Sequence, residues 1–319
     1  MKRRNVALLS TAVALAVLGA PWIVKSPVAS ATEQLASVTA DIADIPTKLA
    51  STVTGRHLGF DTSDYPGDDV MRTWKTSAPY EWVGYYLPAP CHKDDSWSGK
   101  RDTLSQMGWG LAVVYVGQQS WGKDPAKPVR TTVKRKVRDK HGRIRTVRHV
   151  VTRPLAAARG VDCSAAHMSA NRGRTDADDA IARTMSEGFA SGTVVFLDIE
   201  RMERIPTAMR DYYLAWTRRV LEDGRYVPGY YVHTHNAQTV YRDVAPLFQS
   251  MNARADPRFW IAGNGEGRFG PHRAPTDVGH EFASMWQGII DRFETRSGIR
   301  LPIDVSVAAV PSPSAVATD

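Results

Sequence analysis

The segment Val194-Val195-Phe196-Leu197-Asp198-Ile199-Glu200 sets two carboxylates, two residues apart, at the end of an apolar run. Such a run reads as a buried strand, along which side chains alternate between faces. Asp198 and Glu200 therefore share a face, with Cα atoms about 6.6 Å apart, while Ile199 points the other way. Two carboxyl groups this close resist ionising together, so one keeps its proton near neutral pH. The pair then offers an acid and a base or electrostatic stabiliser, the combination that glycosidic cleavage uses. A strand end carrying two solvated acids has the same spacing, so the pair alone does not decide the matter.

Further acids repeat the arrangement. Leu58-Gly59-Phe60-Asp61 is an apolar strand ending in a carboxylate, with Asp64 three residues on, and Leu301-Pro302-Ile303-Asp304 is another. Four acids at apolar strand ends are costly as mere structure, so Asp61, Asp198, Glu200 and Asp304 are expected to converge as the catalytic group. Tyr86, Tyr115, Tyr231, Trp260 and Trp286 occupy similar positions, where rings would suit the C–H faces of a sugar or would fill a core. His233 and His235 share a strand face by the same two-residue rule and could be taken for metal ligands. No third ligand follows at metal spacing, so His233 is expected to hydrogen-bond substrate or a cleft acid, and no metal or other cofactor is expected. Neither a G-x-S-x-G elbow nor a P-loop occurs.

Eight strand-like runs must position these groups: Leu58–Asp61, Trp82–Leu87, Leu111–Val116, Val194–Glu200, Val227–His233, Arg258–Ala262, Phe282–Gln287 and Ile303–Val307. Helix-period stretches lie between most of them, among them 176–189, 208–221 and 238–251. The alternation predicts an α/β fold, a (β/α)8 TIM-type barrel over residues 58–308. A doubly wound sheet lacks support, because no phosphate-binding glycine pattern follows the first strand. After the third strand, residues 123–159 carry 13 Lys and Arg against Asp124 and Asp139. Their β-prone halves, split by Asp139-Lys140-His141-Gly142, predict a basic β-hairpin insertion on the face of the active site.

The chain's formal charge of +8 is thus local, and the remainder of the molecule is mildly acidic. The insertion reads as a solvated loop or as a contact for anionic cell-wall polymer; with no aromatic residue for base stacking, nucleic acid is not an expected partner. Lys2-Arg3-Arg4, an uncharged run to Val24 and Ala29-Ser30-Ala31 read as an export signal over 1–31, with twin-arginine export a further possibility. A membrane association is expected only if that signal stays uncleaved as an anchor. Residues 32–57 read as a spacer and 309–319, rich in Pro and Ser, as a disordered tail. Secretion or envelope attachment would put Cys91 and Cys163 in an oxidising compartment, where they are expected to form one disulfide rather than two buried thiols.

Five short motifs, Gly59-Phe60-Asp61-Thr62-Ser63, Phe196-Leu197-Asp198-Ile199-Glu200, Phe259-Trp260-Ile261-Ala262, Met285-Trp286-Gln287 and Ile303-Asp304-Val305, stand in the order found in glycoside hydrolase family 25 muramidases. The chain more closely resembles a bacterial glycoside-hydrolase-like family, domain of unknown function 1906, over about Leu58 to Ala308. The resemblance implies a barrel cleaving β-1,4 bonds in amino-sugar polymers such as peptidoglycan. It implies Glu200 as general acid, with Asp198 positioning an acetamido group or a water, and Asp61 and Asp304 as further cleft acids. Asp64, Tyr86, Tyr115, Tyr231, His233, Trp260, Trp286 and Gln287 are the expected substrate contacts. The insertion departs from the muramidases. A catalytically silent carbohydrate-binding or envelope-associated barrel, or an adhesin working through the insertion, would carry the same motifs.

Overall fold

A computed structural model of the chain describes residues 55–315, save 122, 158 and 264. The expected signal and nearly all of the spacer lie outside the described residues. Among those described, no helix is long and apolar enough to cross a membrane. The elements run β1 (His57–Asp61), α1 (Asp68–Ser77), β2 (Trp82–Leu87), α2 (Arg101–Gln106), β3 (Gly110–Tyr115), β4 (Val129–Arg138), β5 (Ile144–Arg153), α3 (Ala170–Ser186), β6 (Val194–Ile199), α4 (Thr207–Asp223), β7 (Val227–His233), α5 (Thr234–Ser250), β8 (Arg258–Ala262), β9 (Ala283–Arg296) and β10 (Ile299–Ala308).

Eight of the strands close into a barrel in the order β1-β10-β9-β8-β7-β6-β3-β2. The expected eight-strand TIM-type closure is present, with one difference. Neighbours from β1 through β9 pair in parallel, but β10 is antiparallel to both β9 and β1. The reason is a tight connection. β9 runs on to Arg296, and only Ser297 and Gly298, both with positive φ (48° and 79°), separate it from β10. A two-residue link can only reverse the chain, whereas a parallel return needs a long crossover.

Strand alternation sorts the side chains into two cores. Trp82 of β2, Phe196 of β6 and Trp260 of β8 come from strands that are not neighbours, yet their rings meet edge to face at 5.5 and 6.0 Å. They fill the barrel's interior together with Ala112, Val114, Val194, Met285 and Ala308, all buried. Gly59 makes room for this packing: a Cβ there would lie 2.1 Å from the Trp82 ring. Residues one step along each strand, such as Tyr85, Tyr115, Leu197, Tyr230 and Trp286, point outward into the larger core beneath the helices.

Helix ends follow ordinary capping chemistry. The Ser169 side chain accepts from the Arg172 N–H at the start of α3, and Gly224 at φ 72° ends α4. Residues 309–315, expected to be disordered from composition, are instead built into the end of the barrel opposite the acids. Ser314 is buried, its N–H donates to the Leu111 carbonyl (2.9 Å), and its own carbonyl accepts from Val194 (3.0 Å). Its hydroxyl accepts from the Val113 N–H at 2.8 Å. Small hydroxyl residues read as disorder in sequence, yet here they satisfy backbone groups that the strand starts leave unpaired. Outside the barrel, β4 and β5 form their own antiparallel two-stranded ribbon.

Candidate active site

The acids meet where β1, β6 and β10 reach one mouth of the barrel. Asp61 is the last residue of β1, and the register sets it directly opposite Asp304 of β10. Asp304 thus arrives from mid-strand on a reversed chain rather than from a strand end. Asp198 lies near the end of β6, opposite Tyr231 of β7, and Glu200 follows just beyond the strand. Asp61 and Asp198 are buried, while Glu200 is exposed at the opening.

Asp61 sits in a hydrogen-bonded relay. Tyr86 Oη donates to one of its carboxyl oxygens (2.8 Å) and Gln287 Nε2 to the other (2.9 Å). The same Gln287 nitrogen donates to Asp304 at 3.3 Å, and its carbonyl oxygen accepts from Tyr231 Oη at 2.5 Å. One buried amide therefore spans two acids and a tyrosine. Burial, and then the neighbouring Asp304 charge, push Asp61 up to about 7, against the downward pull of the two donors. Burial also raises Asp304, although the Asp291 N–H donates to it at 2.6 Å.

Asp198 is perturbed too. Burial first, then the Glu200 and Asp61 charges, hold it well above the ordinary carboxylate range. Its Oδ1 is buried with no hydrogen-bond partner. An orphaned carboxyl oxygen in a low-dielectric site is costly, and it is the kind of atom a bound ligand would satisfy. Burial also pushes the hydroxyls of Tyr86 and Tyr231 far up, so both stay protonated donors. Tyr231 feels the charge of all four acids, Asp61, Asp198, Asp304 and Glu200, which places them around a single ring.

The backbone that carries the pair is fixed by a residue the sequence did not point to. Gln119, buried in the loop after β3, donates from Nε2 to the Asp198 carbonyl (2.9 Å) and accepts at Oε1 from the Glu200 N–H (3.1 Å). Its neighbour Gln118 donates to the Asp162 carbonyl (2.9 Å) and accepts from the Ser164 N–H (3.0 Å). Between those two partners lies Cys163, disulfide-bonded to Cys91. Gln118-Gln119-Ser120 is a run of three buried polar residues in the segment after β3.

Several expected contacts lie elsewhere. Tyr115 points out of the barrel, and its hydroxyl donates to Asp179 of α3 at 2.9 Å. Trp286 also points out, donating to the Gly263 carbonyl at 2.7 Å and packing on Phe269. Both adjoin inward residues, and alternation forbids two neighbours from sharing the interior. Trp260 faces inward but is fully buried beneath the site, bonded to Ser306 (3.1 Å) and meeting Tyr231 edge to face, so it is the floor rather than an open platform. His233 and His235 do not form a strand pair: His233 ends β7 and caps α5 by accepting from the His235 N–H (3.0 Å), while His235 turns to the Glu203 carbonyl (3.0 Å). Burial and the Arg201 charge lower His233, favouring its neutral form. Asp64 is exposed near the rim, where its charge reaches His92, whose ring packs on Tyr86.

Compared with known proteins, the chain matches over residues 72–308 a family model described as Rv2525c-like, glycoside hydrolase-like domain. No curated protein matches it. Among solved structures it is similar to an uncharacterized B. stearothermophilus protein, with 14% identity over 79% of this chain and 95% of that one and a TM-score of 0.48. It is also similar to the Clostridium perfringens spore cortex lytic enzyme SleM, at 11% identity over 79% and 67% of the two chains and a TM-score of 0.45. A third likeness is to the Mycobacterium tuberculosis Tat-secreted protein Rv2525c in complex with L-tartrate, at 12% identity over 80% and 95% and a TM-score of 0.43.

Proposed function

The chain belongs to the Rv2525c-like glycoside hydrolase-like domain family, and we propose that it hydrolyses a β-1,4-linked amino-sugar polymer, with peptidoglycan as the substrate class. The observation that carries this reading is the buried Asp198, with an unpartnered carboxyl oxygen, set beside the exposed Glu200. Burial and the Glu200 and Asp61 charges favour the protonated form of Asp198. An acetamido N–H donating to Oδ1 would satisfy that orphaned oxygen and orient the sugar beside Glu200. Glu200, exposed at the opening, is the general acid. Glu200 delivers a proton to the glycosidic oxygen as the C1–O bond breaks, and water adding at C1 returns a proton to Glu200. Tyr86, Tyr231 and Gln287 fix Asp61 and Asp304 beneath the sugar.

The disulfide supports an oxidising location, in keeping with the export signal and an envelope or secreted setting. The test is release of reducing ends from purified peptidoglycan. Wild-type protein should release them. Glu200→Gln should lower turnover by about 10²–10⁴-fold, the usual worth of a general acid, without weakening sugar binding. Sugar binding with no turnover by the wild type would instead identify a silent carbohydrate-binding barrel.

A further inference from the structure

The β4–β5 ribbon lies outside the cleft, and its register divides it into two unlike faces. Residues directly opposite each other share a face. One face carries Arg130, Lys134, Lys136 and Arg138 of β4, with Arg148 of β5 opposite Lys134. The other carries Val129, Val133, Val137, Val147 and Val151, interspersed with Arg135, Arg145, Arg153 and His149. Neither strand contains an acid. Of its Arg and Lys residues, only Arg145 has a carboxylate partner among the described residues, Asp139 at 3.2 Å. All of these cations are exposed.

This arrangement is unfavourable in isolation. Like charges directly opposite, as at Lys134 and Arg148, repel across a ribbon. Three of the first face's β4 cations stand at alternate positions, Lys134, Lys136 and Arg138, about 6.8 Å apart along the strand. A row of evenly spaced, uncompensated cations is complementary to a chain of evenly spaced anions. A planar membrane could meet one face only, whereas cations here lie on both faces and along the whole length. The ribbon's ends are also held: Gln118 ties the outgoing segment to Asp162 and Ser164 on the returning one, one residue from the Gln119 that clamps Asp198 and Glu200.

We propose that the ribbon is a binding site for a linear polyphosphodiester, with Arg130, Lys134, Lys136, Arg138 and Arg148 as its principal contacts. The site is independent of whether the cleft turns over. It would hold an anionic polymer at the rim of the barrel mouth.

The test measures binding of the full chain to an abasic deoxyribose-phosphate 12-mer as a function of salt, beside a dT 12-mer and vesicles containing 30% phosphatidylglycerol. Wild type should bind both 12-mers equally, because the backbone is the ligand. The variant Lys134→Gln, Lys136→Gln, Arg138→Gln, Arg148→Gln should flatten the log–log salt slope by about 3, at roughly 0.7 per lost contact. A control that removes four exposed charges elsewhere (Arg174, Arg218, Arg242 and Arg254, each to Gln) should leave the slope unchanged. Equal losses in both variants would reduce the effect to net charge and overturn the site. Binding to dT alone would make the ligand a base-bearing nucleic acid, and binding to vesicles alone would make it a membrane. Either result overturns the proposal, as does no binding at low salt.

Discussion

Asp61 shows how a single group couples the cleft to stability. In the folded chain it takes up its proton at about pH 7, against 3.8 as its ordinary value. Between those limits the folded state holds a proton that the unfolded chain has released, so stability falls as pH rises from about 4 to 7 and is level above that. Asp198 and Asp304, also raised, act in the same direction. Asp61→Asn keeps the shape and accepts the Gln287 hydrogen bond without a charge. It should raise unfolding free energy at pH 8 by about 1–3 kcal/mol and change it far less at pH 4, read from urea titrations at the two pH values. A gain of the same size at both would mean that Asp61 carries no charge penalty.

At the scale of elements, the strands were legible and their direction was not. Trp82–Leu87, Val227–His233 and Arg258–Ala262 coincide with the expected spans, because apolar runs bounded by turn residues mark strands directly. The pattern around Asp304 has the same appearance in either direction, so the reversal of β10 was hidden, as was the extension of β9 to Arg296. Trp286 and Gln287 cannot both face inward, and it is Gln287 that reaches Asp61. Gln119 could not be foreseen, since its partners are backbone groups 79 and 81 residues away. Because it touches the chain that carries the pair rather than a substrate, Gln119→Ala should lower kcat for reducing-end release by about tenfold while KM stays within about twofold. A variant that lost only KM would assign Gln119 to the sugar instead.

At the scale of the whole molecule, one covalent link governs the largest excursion from the barrel. The Cys91–Cys163 disulfide spans 72 residues and encloses the entire β4–β5 ribbon. Replacing both cysteines with serine should cost about 4 kcal/mol in the chain-entropy account, visible as a lower urea midpoint. A cost near zero would show that Gln118 and its backbone partners close the base of the ribbon by themselves. The charge distribution follows the same division: the ribbon segment holds the excess of Lys and Arg, and the barrel is left mildly acidic.

The reversed final strand also decides which way the protein can face. His57 at the start of β1 lies beside Ala308 at the end of β10, and both are at the pole remote from Asp61 and Asp304. A tether joined at either of these two points would therefore grip the barrel from behind. Held there, the barrel would present its acids outward, toward whatever polymer lies beyond.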